Sequence, residues 1–210
     1  MQILANHLNF MESLLIPEQA KIIGEYTLRK VEERYIPLIL AEYLQVPIGH
    51  LTDRNGLLRQ EYESIVPTII MNYHGELERF IKTSQYKNLV PNILRYALAT
   101  LISGTTVVPT FKSNYVALGS NGTAAANTDT ALGTEAIRGA WTNRYAIDNV
   151  AYLDKYFSST EVGGNTYLEI GSVVDGTASA NTGYLLSHAN INETMAATET
   201  LSINATFTIT

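Results

Sequence analysis

"TLSINATFTIT", Thr200–Thr210, alternates without a break: Leu201, Ile203, Ala205, Phe207 and Ile209 fall on one side, Ser202, Asn204, Thr206 and Thr208 on the other. A period of two is the signature of a half-buried strand, since successive side chains leave opposite faces of the pleat. One face therefore belongs to a core and the other to solvent or a partner. Upstream, the same reading finds strands at Tyr115–Leu118, Ile137–Tyr145, Val150–Phe157, Tyr167–Val174 and Tyr184–Ala189. Between them stand turn-forming stretches such as "STEVGGN", "DGTASANTG" and "NINETMAAT". Short strands at this spacing predict an antiparallel β-sandwich or barrel over residues 106–210.

Residues 1–105 read differently. They carry ten Lys or Arg and eleven Asp or Glu, against four and nine in the remainder, and long Leu, Ile, Glu and Arg side chains replace Thr, Ala, Gly and Asn. The contrast predicts a domain boundary near Gly104. Pro17 suits a helix start, and Ile22, Ile23, Tyr26, Val31 and Tyr35 form a broken helical stripe that Pro37 should kink or end. Leu57 to about Ile81 also reads as mainly helical, and "PNILRYALATLISG", Pro91–Gly104, places an apolar face between a proline start and a glycine stop. "YIPLIL" at Tyr35–Leu40 echoes "IVPTII" at Ile65–Ile70, two proline-bearing apolar helix segments. The expected fold class is α+β, an N-terminal helical attachment domain followed by a C-terminal sandwich or barrel.

The totals narrow the chemistry. A net charge of -6 with no basic run argues against nucleic acid, whose phosphates are held by clustered Lys and Arg. With no cysteine there is no disulfide, thiolate nucleophile or Cys-held metal. No run reaches the roughly 18 apolar residues of a membrane span. The opening residues lack a basic signal-peptide start, so the chain is expected to be made in a cytoplasm.

No motif organises an active site. His7, His50, His74 and His188 stand far apart, with none of the spacings that set two imidazoles on one helical face. No phosphate-binding glycine pattern and no Gly-x-Ser-x-Gly elbow is present. The second half offers Asp129, Glu135, Asp148, Asp154, Glu161, Glu169 and Asp175 as material for a carboxylate pair or a calcium site. Asp129, Asp148 and Asp175 lie in turn contexts, where Asp caps local amides. Trp141 and Tyr145 read as buried aromatics on one strand face. The expectation is no catalytic residue, no cofactor and no metal.

The stretch "YVALGSNGTAAANTDTALGTEAIR", Tyr115–Arg138, followed by "YLEIGSVVDG", "GYLLSHA" and the closing "ETLSINATFTIT", resembles a β-domain of tailed-bacteriophage virion proteins, described as tail fibre or minor structural proteins. The resemblance covers about residues 93–210. It departs where Gly171-Ser172-Val173 stands in place of the family's "GLF", and it does not extend over residues 1–92. It implies a non-enzymatic virion structural protein made in the host bacterium, foremost a tail or collar fibre component. Alternatives are a capsid decoration protein, a head-to-tail connector subunit, or a host receptor or glycan-binding module acting through its loops. The implied partners are copies of itself, as a trimer or higher ring, and other virion proteins, without nucleic acid or membrane. Tyr35, Ile39, Tyr43, Ile69 and Tyr73 are the candidate interface residues of the helical half, with ordinary helical core as their competing role.

Overall fold

The computed structural model describes residues 22–104 and 110–210. Nine strands form two antiparallel sheets among the described residues. The five-stranded sheet has the order β2 (Lys82–Lys87), β1 (Ile22–Glu32), β9 (Glu199–Ile209), β6 (Val150–Phe157), β5 (Asn143–Ile147). The four-stranded sheet runs β4 (Glu135–Ala140), β3 (Ser113–Gly119), β7 (Thr166–Val174), β8 (Tyr184–Thr194). The sheets pack face to face over one core that includes Tyr26, Leu28, Leu153, Phe157, Ile203 and Phe207 from the first and Val116, Leu118, Ile170 and Leu186 from the second.

Among the described residues the N-terminal half does not form a helical domain. Ile22–Glu32, expected as helix, is a strand that pairs with β9 over its whole length, from Ile22 opposite Ile209 to Glu32 opposite Glu199. Its sequence fits both periods at first sight, because Ile22, Ile23 and Tyr26 occur at helical spacing. The strand wins because Tyr26 and Leu28 face the core while Thr27 and Arg29 face away, and because the β-branched Ile22, Ile23, Thr27 and Val31 favour the pleat while Gly24 is a poor helix former. The deciding partner is β9, more than a hundred residues away in the chain. Residues 17–21 lie outside the described residues.

The helices that do form are short. They are α1 (Ile36–Leu44), α2 (Ile48–Leu51), α3 (Val66–Asn72), α4 (Asn92–Ile102) and α5 (Ser159–Val162). Pro37 starts α1 instead of ending a helix, since its missing N–H costs nothing in the first turn. Within Leu57–Ile81 only α3 is α-helical; the flanks Gln60–Ile65 and Glu76–Phe80 are 3₁₀ turns. The echo between the two proline segments has a structural counterpart. A 3₁₀ turn leads into a proline-started helix each time, and the buried positions correspond: Ile36, Pro37, Ile39, Leu40 in α1 and Val66, Pro67, Ile69, Ile70 in α3. With Val31, Leu51, Tyr73 and Tyr156, the Ile, Leu and Val residues among them form a second core on the outer face of the five-stranded sheet. Pro91 and Gly104 bracket α4, and Gly104 takes the positive φ of 73° that glycine accepts freely.

Ile137–Tyr145, expected as one strand, is a corner. β4 ends at Ala140 in one sheet and β5 begins at Asn143 in the other. Trp141 sits buried at the bend and donates Nε1–H to Ser113 Oγ at 3.0 Å, whereas Tyr145 stands half exposed on the far sheet.

Candidate functional site

The small-residue stretch after β3 is laid over the outer face of the four-stranded sheet and held there. Leu132 packs on Ala117, Val173 and Leu185, a small apolar cluster of its own. Glu169, on the outward side of β7, is buried and takes the backbone N–H of Gly133 on one oxygen at 2.9 Å and that of Thr134 on the other at 2.8 Å. Asn190 of β8 accepts from Ala125 N–H and donates to the Thr123 carbonyl, both at 2.7 Å. Such bonds satisfy backbone groups that a loop covering a sheet would otherwise leave unpaired. Gly119 explains itself here: a Cβ at this position would meet the Glu169 carboxylate and the Thr134 carbonyl at under 3 Å.

His188 joins this arrangement from β8. Its Nδ1 lies 2.7 Å from Asp129 Oδ2 and its Nε2 3.1 Å from Glu169 Oε2. The two carboxylates address opposite nitrogens of one ring, so they do not converge on a point where a metal ion could sit. Nor does the row resemble a nucleophile relay, which needs a hydroxyl or thiol at the second nitrogen. Glu169 stands there, already occupied by loop amides. Asp129 also accepts from Ala126 N–H at 2.7 Å, so the aspartate shapes its turn and ties it to the sheet at once.

The other acidic residues are similarly employed. Glu135 and Arg138 pair through Arg138 Nη2 at 2.7 Å, and both side chains are buried. Arg138 Nη1 then reaches the Thr177 and Thr182 carbonyls while Glu135 accepts from Asn181 N–H, which pins the loop before β8. Asp175, at φ 50°, caps the amides of Thr110 and Phe111, and Glu161 closes a capping box with Ser158 at the start of α5. Asp148 occupies a left-handed turn position at φ 51°. Among the described residues, Asp154 alone of the buried carboxylates of this half forms neither an ion pair nor a bond with a backbone amide; its partner is the Asn204 side chain, at 2.7 Å. Burial pushes its carboxyl above the usual aspartate range.

The interface residues expected from sequence divide. Ile39, Ile69 and Tyr73 lie in the helical layer's own core, and Tyr35 stacks on Phe80 with ring centroids 4.2 Å apart. Tyr43, 47% exposed, is the member of the five with a large free face. A different apolar surface lies at one end of the sandwich. Ile23 and Ile147 flank a single register row, Ile23–Thr208–Val150–Ile147, and with Ile209 each is more than half exposed. Beside Ile209 a mouth of about 570 Å³ opens between the sheet ends, walled mainly by apolar residues such as Ile22, Phe111, Leu153, Leu186 and Phe207, with Lys112 and Arg144 also lining it. This surface escapes sequence reading because its isoleucines come from three strands far apart in the chain. Among the described residues no helix is long and apolar enough to cross a membrane.

Compared with family models, with curated proteins and with solved structures, the chain matches none.

Proposed function

We propose that the protein is a non-enzymatic assembly subunit of a tailed-bacteriophage virion, foremost a tail or collar fibre component, which associates with copies of itself and with other virion proteins. The observation that carries assembly is the apolar end of the sandwich, where Ile209 lines an open, largely apolar mouth and Ile23 and Ile147 stand exposed on neighbouring strand ends. Exposed apolar surface of this kind gains by being covered, at about 25 cal/mol per Å² removed from water. A second copy supplies the same side chains in a closed symmetric arrangement. Support for the virion setting comes from the resemblance of residues 93–210. The employment of Glu135, Glu161, Glu169 and Asp175 as loop and helix tethers favours a structural over a catalytic use of the acidic residues.

The test has two parts. Particles purified from an infected culture, analysed by quantitative mass spectrometry and cryo-electron microscopy, should contain the chain at a copy number set by the particle's symmetry. The isolated full chain, sized by light scattering, should form an oligomer that Ile23→Asp with Ile147→Asp reduces to monomer. Absence from the particles overturns the virion assignment, and an unchanged oligomer in the double variant overturns the assigned surface.

A further inference from the structure

The outer face of the five-stranded sheet is only partly covered by the helical layer, and the uncovered part is a cleft of about 310 Å³. Its floor follows from strand register. Gln85, Thr27, Asn204, Asp154 and Asn143 are directly opposed from strand to strand, an unbroken polar row across β2, β1, β9, β6 and β5. The adjacent row ends in Thr206, Tyr152 and Tyr145. Tyr145 lies nearly parallel to Tyr152, at 9° and 5.0 Å between centroids, so one ring backs the other and leaves Tyr145 half exposed. The wall opposite is α3, through Thr68, Met71 and Asn72. Beyond Thr68 and Tyr145, which it shares, a larger hollow is lined by Tyr43, Leu44 and Ile65.

We propose that this cleft binds a neutral oligosaccharide, with a sugar ring against Tyr145 and hydroxyl groups on Asp154, Asn204 and Arg29.

The hydrogen-bonding inventory selects hydroxyls. Asp154 as carboxylate only accepts, Arg29 only donates, and Asn204 does both, which suits groups that donate and accept in one atom. One polar atom of the cleft has unmet demand among the described residues. Arg29 is 8% exposed; its Nη1 donates to the Ile70 and Tyr73 carbonyls at 2.7 and 3.1 Å, but its buried Nε has no partner. Leaving such a donor unpaired is unfavourable, and a bound hydroxyl would relieve it.

Charge and shape exclude the competing ligands. Arg29 in the cleft is balanced by Asp154, and Lys87 in the next row is opposed by Glu25, so an anion or a cation gains little. A phosphate meets one already committed guanidinium and a carboxylate, and a metal ion meets a single carboxylate with an arginine nearby. A peptide adding as a strand would take the outer edge of β2 or β5 and not the floor between them, where β1, β9 and β6 are paired on both sides. What the floor offers is planar polar side chains at strand spacing, about 4.8 Å apart, beside an aromatic face. Those are the elements that recognise a ring with an apolar flank and hydroxyls around its edge. The cleft falls within the roughly 300–1,000 Å³ of small-ligand sites. This inference stands independently of the assembly reading, since none of its residues belongs to the apolar end of the sandwich except Tyr145, which touches both.

The full chain is screened against an immobilised array of neutral gluco-, manno-, galacto- and chito-oligosaccharides, and the best binder is titrated calorimetrically. Binding of at least one neutral oligosaccharide is expected. Tyr145→Ala and Asp154→Asn should each weaken it by about tenfold or more, with the circular-dichroism spectrum retained, while Ile102→Ser, an exposed position on α4, leaves it unchanged. No retained oligosaccharide, or binding that persists in the Tyr145→Ala, Asp154→Asn double variant, overturns the proposal. Preference for carboxylated over neutral sugars overturns its charge argument and with it the assignment.

Discussion

Lys30 of β1 and Glu193 of β8 face each other across the join of the two sheets, 2.6 Å apart and both largely withdrawn from solvent. Tyr86 of β2 donates its hydroxyl to the other Glu193 oxygen at 2.8 Å. Removing one member of a buried pair strands the other charge, so Lys30→Met should lower stability by about 3 kcal/mol in urea unfolding. The double variant Lys30→Met, Glu193→Met should recover much of that loss.

The same pair gives the protein an acid limit. Burial works to raise the Glu193 carboxyl, but hydrogen bonds from Lys30, Ser84 and Tyr86 and the Lys30 charge together hold it below its ordinary value. Glu199 is held low in the same way, against its burial, by Lys82 and the Ala196 amide. A lowered folded-state value stabilises above the ordinary glutamate range, and that contribution is lost as pH falls through the folded value. Urea midpoints should therefore decline from about pH 5 downwards, and Glu193→Gln should flatten the decline.

Tyr26 is the polar centre of an otherwise apolar interior. Its hydroxyl donates to Ser172 Oγ at 3.0 Å and also meets Ser187, so one residue of the five-stranded sheet reaches two strands of the other. Burial pushes its hydroxyl up to about 12. Tyr26→Phe removes the shared partner of both serines and should cost about 1–3 kcal/mol, read as a lower thermal midpoint with no change in secondary structure.

Asp154 runs the other way. Its carboxyl is raised by desolvation, so ionisation at neutral pH opposes folding. Asp154→Asn keeps the contact with Asn204 and removes the buried charge. The variant should melt at a higher temperature at pH 7, and the difference should vanish at about pH 3, where the native carboxyl is protonated. A residue that costs stability where it stands is one whose replacement is expected to trade function for stability.

His188→Ala should release the stretch that follows β3 without unfolding the sheets. Amide exchange in residues 123–134 should accelerate while β7 and β9 stay protected. Gly171→Ala probes the same covering from beneath. A Cβ there would lie 2.8 Å from Leu185 Cδ1, 2.9 Å from the Ser187 carbonyl oxygen and 3.0 Å from Leu132 Cδ2, so both β8 and the covering loop must shift, at about 1–3 kcal/mol.

Where the sequence could be read, the deciding signal was local. The alternation of Leu201, Ile203, Ala205 and Phe207 is the buried face of β9, and Val150–Phe157 is β6 over the span expected. Where it misled, the answer lay in a distant partner. Ile22, Ile23, Tyr26 and Val31 satisfy a helical stripe until β9 is placed beside them. Asn204, read only as the solvent or partner side of its strand, becomes a cleft residue because register sets it opposite Thr27 and Asp154. The tethers Glu169 and His188 show no spacing signal at all, because they meet the loop 35 and 59 residues away along the chain.

Register also constrains the order of events during synthesis. β9 is the middle strand of its sheet and follows every strand it touches in the chain. Until it leaves the ribosome, β1 has only β2 for a neighbour and β6 only β5, two separate pairs with exposed apolar faces and no common strand between them. At about 5–20 residues per second, the nascent chain spends seconds in that divided condition, and binding by chaperones that shield apolar surface is expected during it. A chain interrupted ahead of Glu199 loses the seam that joins its two halves, and proteolysis is its expected fate.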